Sequence, residues 1–208
     1  MPIDLKINQY PHYDRKKFFS YPSLQFNEGI NILIGCNGAG KSTLIQQIRS
    51  YCKKNDIDYI KYDNTQDGAS HAREQAGYFG DMKTLANLMV CSEGEGIHIA
   101  FGQFVRSLRS FVTDKDGTKE KWILIDAVDS GFSIDNILDI KKVLQYILEH
   151  DVQPGYQLYI VISTNAYEFA NGEDCINVRT GKHVKFTDYE DYKQTILQSV
   201  TLRNKLSY

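Results

Sequence analysis

The stretch GCNGAGKST, residues 35–43, constrains this chain more than any other. It satisfies the spacing G-x-x-x-x-G-K-[ST] through Gly35, Gly40, Lys41 and Ser42, directly after the apolar run INILI and directly before LIQQI. A strand, a glycine-rich turn and a helix in that order give the spacing its physical meaning. Glycines let the backbone wrap tightly, so successive N–H groups and the helix N-terminus face one anion. Lys41 then offers a mobile charge to the β- and γ-phosphates, and Ser42 offers its hydroxyl to a magnesium ion. Asn37, Gly38, Ala39 and Thr43 complete the cradle. Without a ligand, the Lys41 side chain is expected to face solvent. The expectation is an α/β chain that binds a nucleoside triphosphate together with Mg2+.

The rest of the chain is patterned accordingly. Residues 3–8, 23–26, 30–34 and 57–62 read as strands, and 40–54 as a helix with Leu44, Ile45 and Ile48 on one face. A helical stretch over 69–90 is interrupted by Gly77 and Gly80, and a better-patterned helix covers 96–112. The polar segment TDKDGTKEK that follows reads as a solvated loop whose lysines are within reach of a polyanion. Residues 122–126 form a buried strand. Ser133 is the expected N-cap of a helix running to His150 that carries Ile137, Leu138, Leu144, Ile147 and Leu148. Residues 156–163 are apolar enough for a central strand. CINVRTGKHVKF reads as a hairpin turning at Thr180-Gly181, and 188–203 as a last helix. Strands alternating with helices predict a mainly parallel central sheet flanked by helices, with an antiparallel section, in a single domain over 1–208.

Composition narrows the function classes. With 24 Lys+Arg against 26 Asp+Glu the net charge is -2, so no global field attracts nucleic acid or an anionic membrane. The longest apolar runs are too short to cross a bilayer. The opening MPIDLKINQY has no apolar signal segment, and a cytoplasmic location is expected. Cys36, Cys52, Cys91 and Cys175 are scattered, as are the five histidines, which suggests neither a zinc site nor a disulfide framework.

A second chemical element lies in LIDAVDSGFSID, residues 124–135. An aspartate at the end of a buried strand is costly unless something compensates it, and a magnesium ion beside bound phosphates would compensate Asp126. The next residue, Ala127, can neither take a proton nor orient water. Asp129 lies three residues beyond Asp126, within roughly 10 Å even if the chain is extended, and is the candidate base.

These elements, with CSEGEG at residues 91–96, resemble an ABC-type ATPase head, closer to the SMC/RecF class than to transporter subunits. CSEGEG is similar to the family's LSGGQ motif through Ser92, Gly94 and Glu95, with Glu93 where the first glycine would stand. The opening INQYPHYDRKKFFSYPSLQFNEGINILIGCNGAGKST resembles the SMC/RecF start, and the likeness spans most of residues 1–170. The resemblance implies a P-loop NTPase fold and an ATP-dependent homodimer in which Ser92, Gly94 and Glu95 contact the nucleotide of the opposite subunit. It further implies that Gln66 is a Q-loop metal ligand, and that residues 129–132 form a D-loop equivalent with Ser133 in place of its aspartate. Asn165 stands where a switch histidine usually ends the last core strand.

The family usually places a glutamate where this chain has Ala127, so the resemblance implies slow hydrolysis that relies on Asp129 and Asn165. DNA-related work with DNA or a DNA-associated protein is implied by the same class. The alternatives are a nucleotide-gated binding module that regulates a partner, and, ranked last, the motor of a transporter. Tyr10, Tyr13, Phe18 and Tyr21 are either a base-stacking platform or core and interface residues.

Overall fold

The computed structural model describes residues 2–11, 16–63, 93–129 and 132–206, giving backbone alone for 93–100 and 204–206. The expected helix over 69–90 lies outside the described residues. Within them the chain forms strands β1 (Ile3–Lys6), β2 (Ser23–Phe26) and β3 (Gly29–Ile34), helix α1 (Lys41–Lys54), strand β4 (Asp58–Asp63) and helix α2 (Glu93–Thr113). There follow β5 (Glu120–Asp126), α3 (Ile134–His150), β6 (Gln157–Ser163), α4 (Tyr167–Ala170), β7 (Cys175–Asn177), β8 (Lys182–Val184) and α5 (Tyr189–Leu206).

Six strands form one sheet in the order β4-β5-β6-β3-β7-β8. Every neighbouring pair is parallel except β7 with β8, which is the antiparallel hairpin read from CINVRTGKHVKF. β1 and β2 pair antiparallel as a separate ribbon. The period-2 alternation of side chains sorts the central strands between two cores. Leu33, Trp122, Leu124, Tyr159 and Val161 face α1 and the ribbon, packing on Leu44, Ile45, Ile48 and Phe26. Ile32, Ile34, Ile123, Ile125, Ile160 and Ile162 face α2, α3 and α4. The chain therefore leaves β3 towards one face of the sheet and leaves its neighbour β6 towards the other. A crevice opens at the carboxyl ends of adjacent strands that diverge in this way.

Three details depart from the sequence reading. The stripe that α3 buries is Ile137, Ile140, Leu144 and Ile147, whereas Leu138 is 41% exposed. At 100° per residue, position 138 falls off a stripe spaced by three and four. Ser133 is the N-cap by backbone position but makes no side-chain cap bond. Its hydroxyl serves Asp135 in the first turn instead, and with the backbone N–H groups there it holds that carboxyl below the usual range. Last, the segment read as a solvated loop ends in strand β5, and its last residue, Lys121, is 2% exposed.

Candidate phosphate-binding site

The loop from Gly35 to Gly40 joins β3 to α1 with three glycines at positive φ, 147° at Gly35, 76° at Gly38 and 104° at Gly40. A Cβ on Gly35 would stand 2.9 Å from Ala39 Cβ, and one on Gly40 would press into the rings of Phe18 and Phe19. Both positions thus demand glycine for space as well as for torsion. Gly40 is the N-cap of α1 in left-handed geometry, with no side-chain cap bond and no acid in the first turn. The unpaired N–H groups and the positive end of the helix dipole are left for an anion.

The cleft over this loop has a volume near 360 Å³ and is lined by residues 37–43, Phe18, Asp126, Ala127, Asp129 and residues 163–165. It brings together Asn37, Gly38, Ala39, Gly40, Lys41, Ser42, Thr43, Asp126, Asp129 and Asn165, all expected from the sequence. Gly35 lies behind the loop and contributes its carbonyl to Lys41.

Lys41 lines the cleft half-buried, so the side chain expected to face solvent does so only in part. Its Nζ donates to Gly35 O at 2.7 Å and to Asn165 Oδ1 at 2.7 Å. The cause is the curl of the loop, which turns the Gly35 carbonyl towards the first turn of α1. Burial pulls the ammonium below its ordinary pKa of 10.5, opposed chiefly by the nearby Asp129 carboxylate and also by Asp126. An anion entering the cleft would therefore find a partly desolvated cation whose present partners are neutral acceptors.

Asp126 ends β5 and is 6% exposed. Ser163, at the end of β6, donates its hydroxyl to Asp126 Oδ1 and accepts the N–H of Ala127 at 3.0 Å. Ala127 adopts φ 53°, a left-handed conformation unusual for a residue with a side chain, and this hydroxyl holds it there. Asp63 is in register with Asp126 on the next strand and is paired with Lys61 at 2.9 Å. Asp126 and the Ser42 hydroxyl suit Mg2+, which typically takes one or two carboxylates and completes its shell with phosphate oxygens and water. Among the described residues no three His, Cys, Asp or Glu side chains converge on one point.

Asn165 is the hub of the site. Besides accepting from Lys41, it donates its backbone N–H to Asp129 Oδ2 at 2.9 Å and its Nδ2 to Asn37 Oδ1 at 3.3 Å. Asp129 is thereby held on the cleft within electrostatic reach of Lys41.

Of the four aromatics singled out near the start, Phe18 lines the cleft. Tyr21 is buried and donates to Val178 O at 2.8 Å, Tyr10 is half exposed away from the cleft, and Tyr13 is outside the described residues. Gln66, Ser92, Ser130 and Gly131 also lie outside them. Gly94 and Glu95 fall in the first turn of α2, which starts at Glu93 and not after the motif. Gly94 and Gly96 each cost about 1 kcal/mol against alanine, which the apolar face that follows them outweighs.

Sequence reasoning missed Ser163, although the polar pair closing the apolar run in VIST was a visible signal. It also missed Thr164, whose buried hydroxyl accepts the N–H of Ala166 at 3.0 Å. The chain matches no family model, and no curated protein matches it.

Proposed function

We propose that this chain is a slow Mg-ATPase of ABC type, in the SMC/RecF class, that closes as an ATP-dependent homodimer. The observation that carries the reading is the single cleft shared by an uncapped helix N-terminus, Lys41, Ser42, Asp126 and Asn165. The loop amides and Lys41 would take the phosphates, Ser42 and Asp126 would hold the magnesium ion, and Phe18 is the aromatic placed to meet the base. With Ala127 turned into a left-handed conformation and carrying no acid, the remaining carboxylate on the cleft among the described residues is Asp129. Its Oδ2 is engaged by Asn165, so Oδ1 would be the atom that accepts a proton from water. Ser92, Gly94 and Glu95 would serve the partner's nucleotide, and DNA or a DNA-associated protein is the partner class that the resemblance suggests.

Ala127 itself favours a second reading, a nucleotide-gated module that binds ATP and changes its assembly with little turnover. One experiment separates the two. The protein is sized with and without Mg-ATP while phosphate release is followed, with and without DNA. Dimerisation with slow release supports the ATPase, and dimerisation with no release supports the gated module. A monomer at saturating non-hydrolysable ATP defeats the shared-site assembly in both.

A further inference from the structure

Helix α5 touches the site from behind at three places. Tyr192 Oη donates to Asn165 O at 2.7 Å. Ser199 Oγ accepts the N–H of Cys36 at 3.1 Å, and Arg203 donates from a terminal nitrogen to Asn37 O at 2.8 Å. The spacings of seven and four residues put all three side chains on one face of the helix. Each contact reaches a backbone group, two in the phosphate loop itself and one at the residue that holds Lys41 and Asp129. Tyr192 and Ser199 are buried, whereas Leu197 on the other side of the helix is half exposed. Arg179, from the β7–β8 turn, extends the brace. It donates to Phe18 O at 3.3 Å and to Leu202 O at 3.5 Å, linking the aromatic on the cleft to the same helix.

We propose that Tyr192, Ser199 and Arg203 are positioning residues that hold the phosphate loop and Asn165 in the shape that receives a triphosphate. This inference rests on the nucleotide-binding reading above. The physical reason is the loop's own torsions. Three glycines at positive φ give residues 35–40 many alternative conformations, and fixing them lowers the entropy lost on binding. A hydrogen bond from a packed helix to each end of the Asn165–Asn37–Cys36 arc supplies that restraint. None of residues 189–203 lines the cleft, so the effect of these side chains on binding must act through the loop.

The test is calorimetric titration of Mg-ATP into Ser199→Ala, Ser199→Thr and Tyr192→Phe, run well below each variant's melting temperature. Gln198→Ala on the exposed side serves as the control. Loss of one neutral hydrogen bond corresponds to about a fivefold change in affinity. Ser199→Ala and Tyr192→Phe should each weaken binding by about that factor. Ser199→Thr, which keeps the hydroxyl, should restore it, and Gln198→Ala should bind as wild type. A merely structural role predicts lowered melting temperatures with wild-type affinity in the folded protein, and that result overturns the proposal. If Ser199→Ala does not fold, the near-isosteric Tyr192→Phe decides by the same criterion. A wild-type protein that binds no Mg-ATP instead defeats the parent reading.

Discussion

Two lysines in this molecule do similar local chemistry to opposite ends. Lys121 is buried, and its Nζ donates to Phe111 O and Asp114 O, each at 2.7 Å, where α2 ends. The rings of Phe111 and Tyr156 lie 5.1 and 5.3 Å from the same nitrogen. The cation thus satisfies terminal carbonyls at the negative end of the helix dipole, inside an aromatic sleeve and away from the cleft. Lys41 also holds two oxygens at 2.7 Å, but it stands at the start of its helix, beside two carboxylates and on the wall of the cleft. At a helix N-terminus a cation is electrostatically misplaced unless an anion joins it. By this argument the lysine at the wrong end of a helix is the one placed to meet an anion, as the proposed function requires, and the lysine at the right end serves the fold.

The largest expected effect sharpens the Lys41 side of this contrast. Asp129→Asn keeps size and the bond from Asn165 but removes basicity, so turnover should fall by about 10²–10⁴ while Mg-ATP affinity is retained. Phosphate release measured on equally saturated proteins checks it, and unchanged release reduces Asp129 to a loop anchor. Next, Lys41→Ala should lower Mg-ATP affinity by about a hundredfold, as expected for losing charged hydrogen bonds, with little loss of stability. Calorimetry on the folded variant reads this, and wild-type affinity would break the comparison outright.

Lys121→Met should do the reverse. It takes a charged donor from two part-buried carbonyls, a loss of about 1–3 kcal/mol, which lowers the melting temperature by several degrees, about 2–4 °C per kcal/mol in a chain of this size. Affinity for Mg-ATP should not move, and a parallel loss of affinity would show that the two lysines are coupled.

The smallest effect is on pH dependence. Burial lowers the pKa of Lys41, so its ammonium loses its proton below the ordinary 10.5. Bound phosphate favours the charged form, so affinity should be intact at neutral pH and decline as pH rises through that lowered pKa. Lys41→Arg, which stays charged, should remove the decline. A titration series from pH 7 to 10 in both proteins reads the difference.

Much of this was legible in the sequence because the relevant signals are local. The GCNGAGKST loop opens α1 where the glycines and the following apolar face put it. The unbroken apolar runs ending at Asp126 and Ser163 became central parallel strands, since a strand buried on both faces carries no polar alternation. Asp126, Asp129 and Asn165 could be nominated because each closes or follows such a run.

What the tertiary structure decided is which chain ends meet. β6 inserts between β3 and β5, so Ser163 reaches Asp126 and Asn165 reaches Lys41, 124 residues away. Local pattern carries no information about strand order, because any order buries the same apolar runs. Lys121 reads in sequence like its solvated neighbours Lys115 and Lys119, yet strand pairing carried it inside, where helix carbonyls and two rings received it. Ser199 and Tyr192 likewise read as ordinary residues of the last helix. Only docking of that helix against the phosphate loop, 163 residues from Ser199 to Cys36, turns their hydroxyls towards the site. Local propensity and hydrophobic pattern shape each element, whereas long-range contacts depend on how the elements pack together.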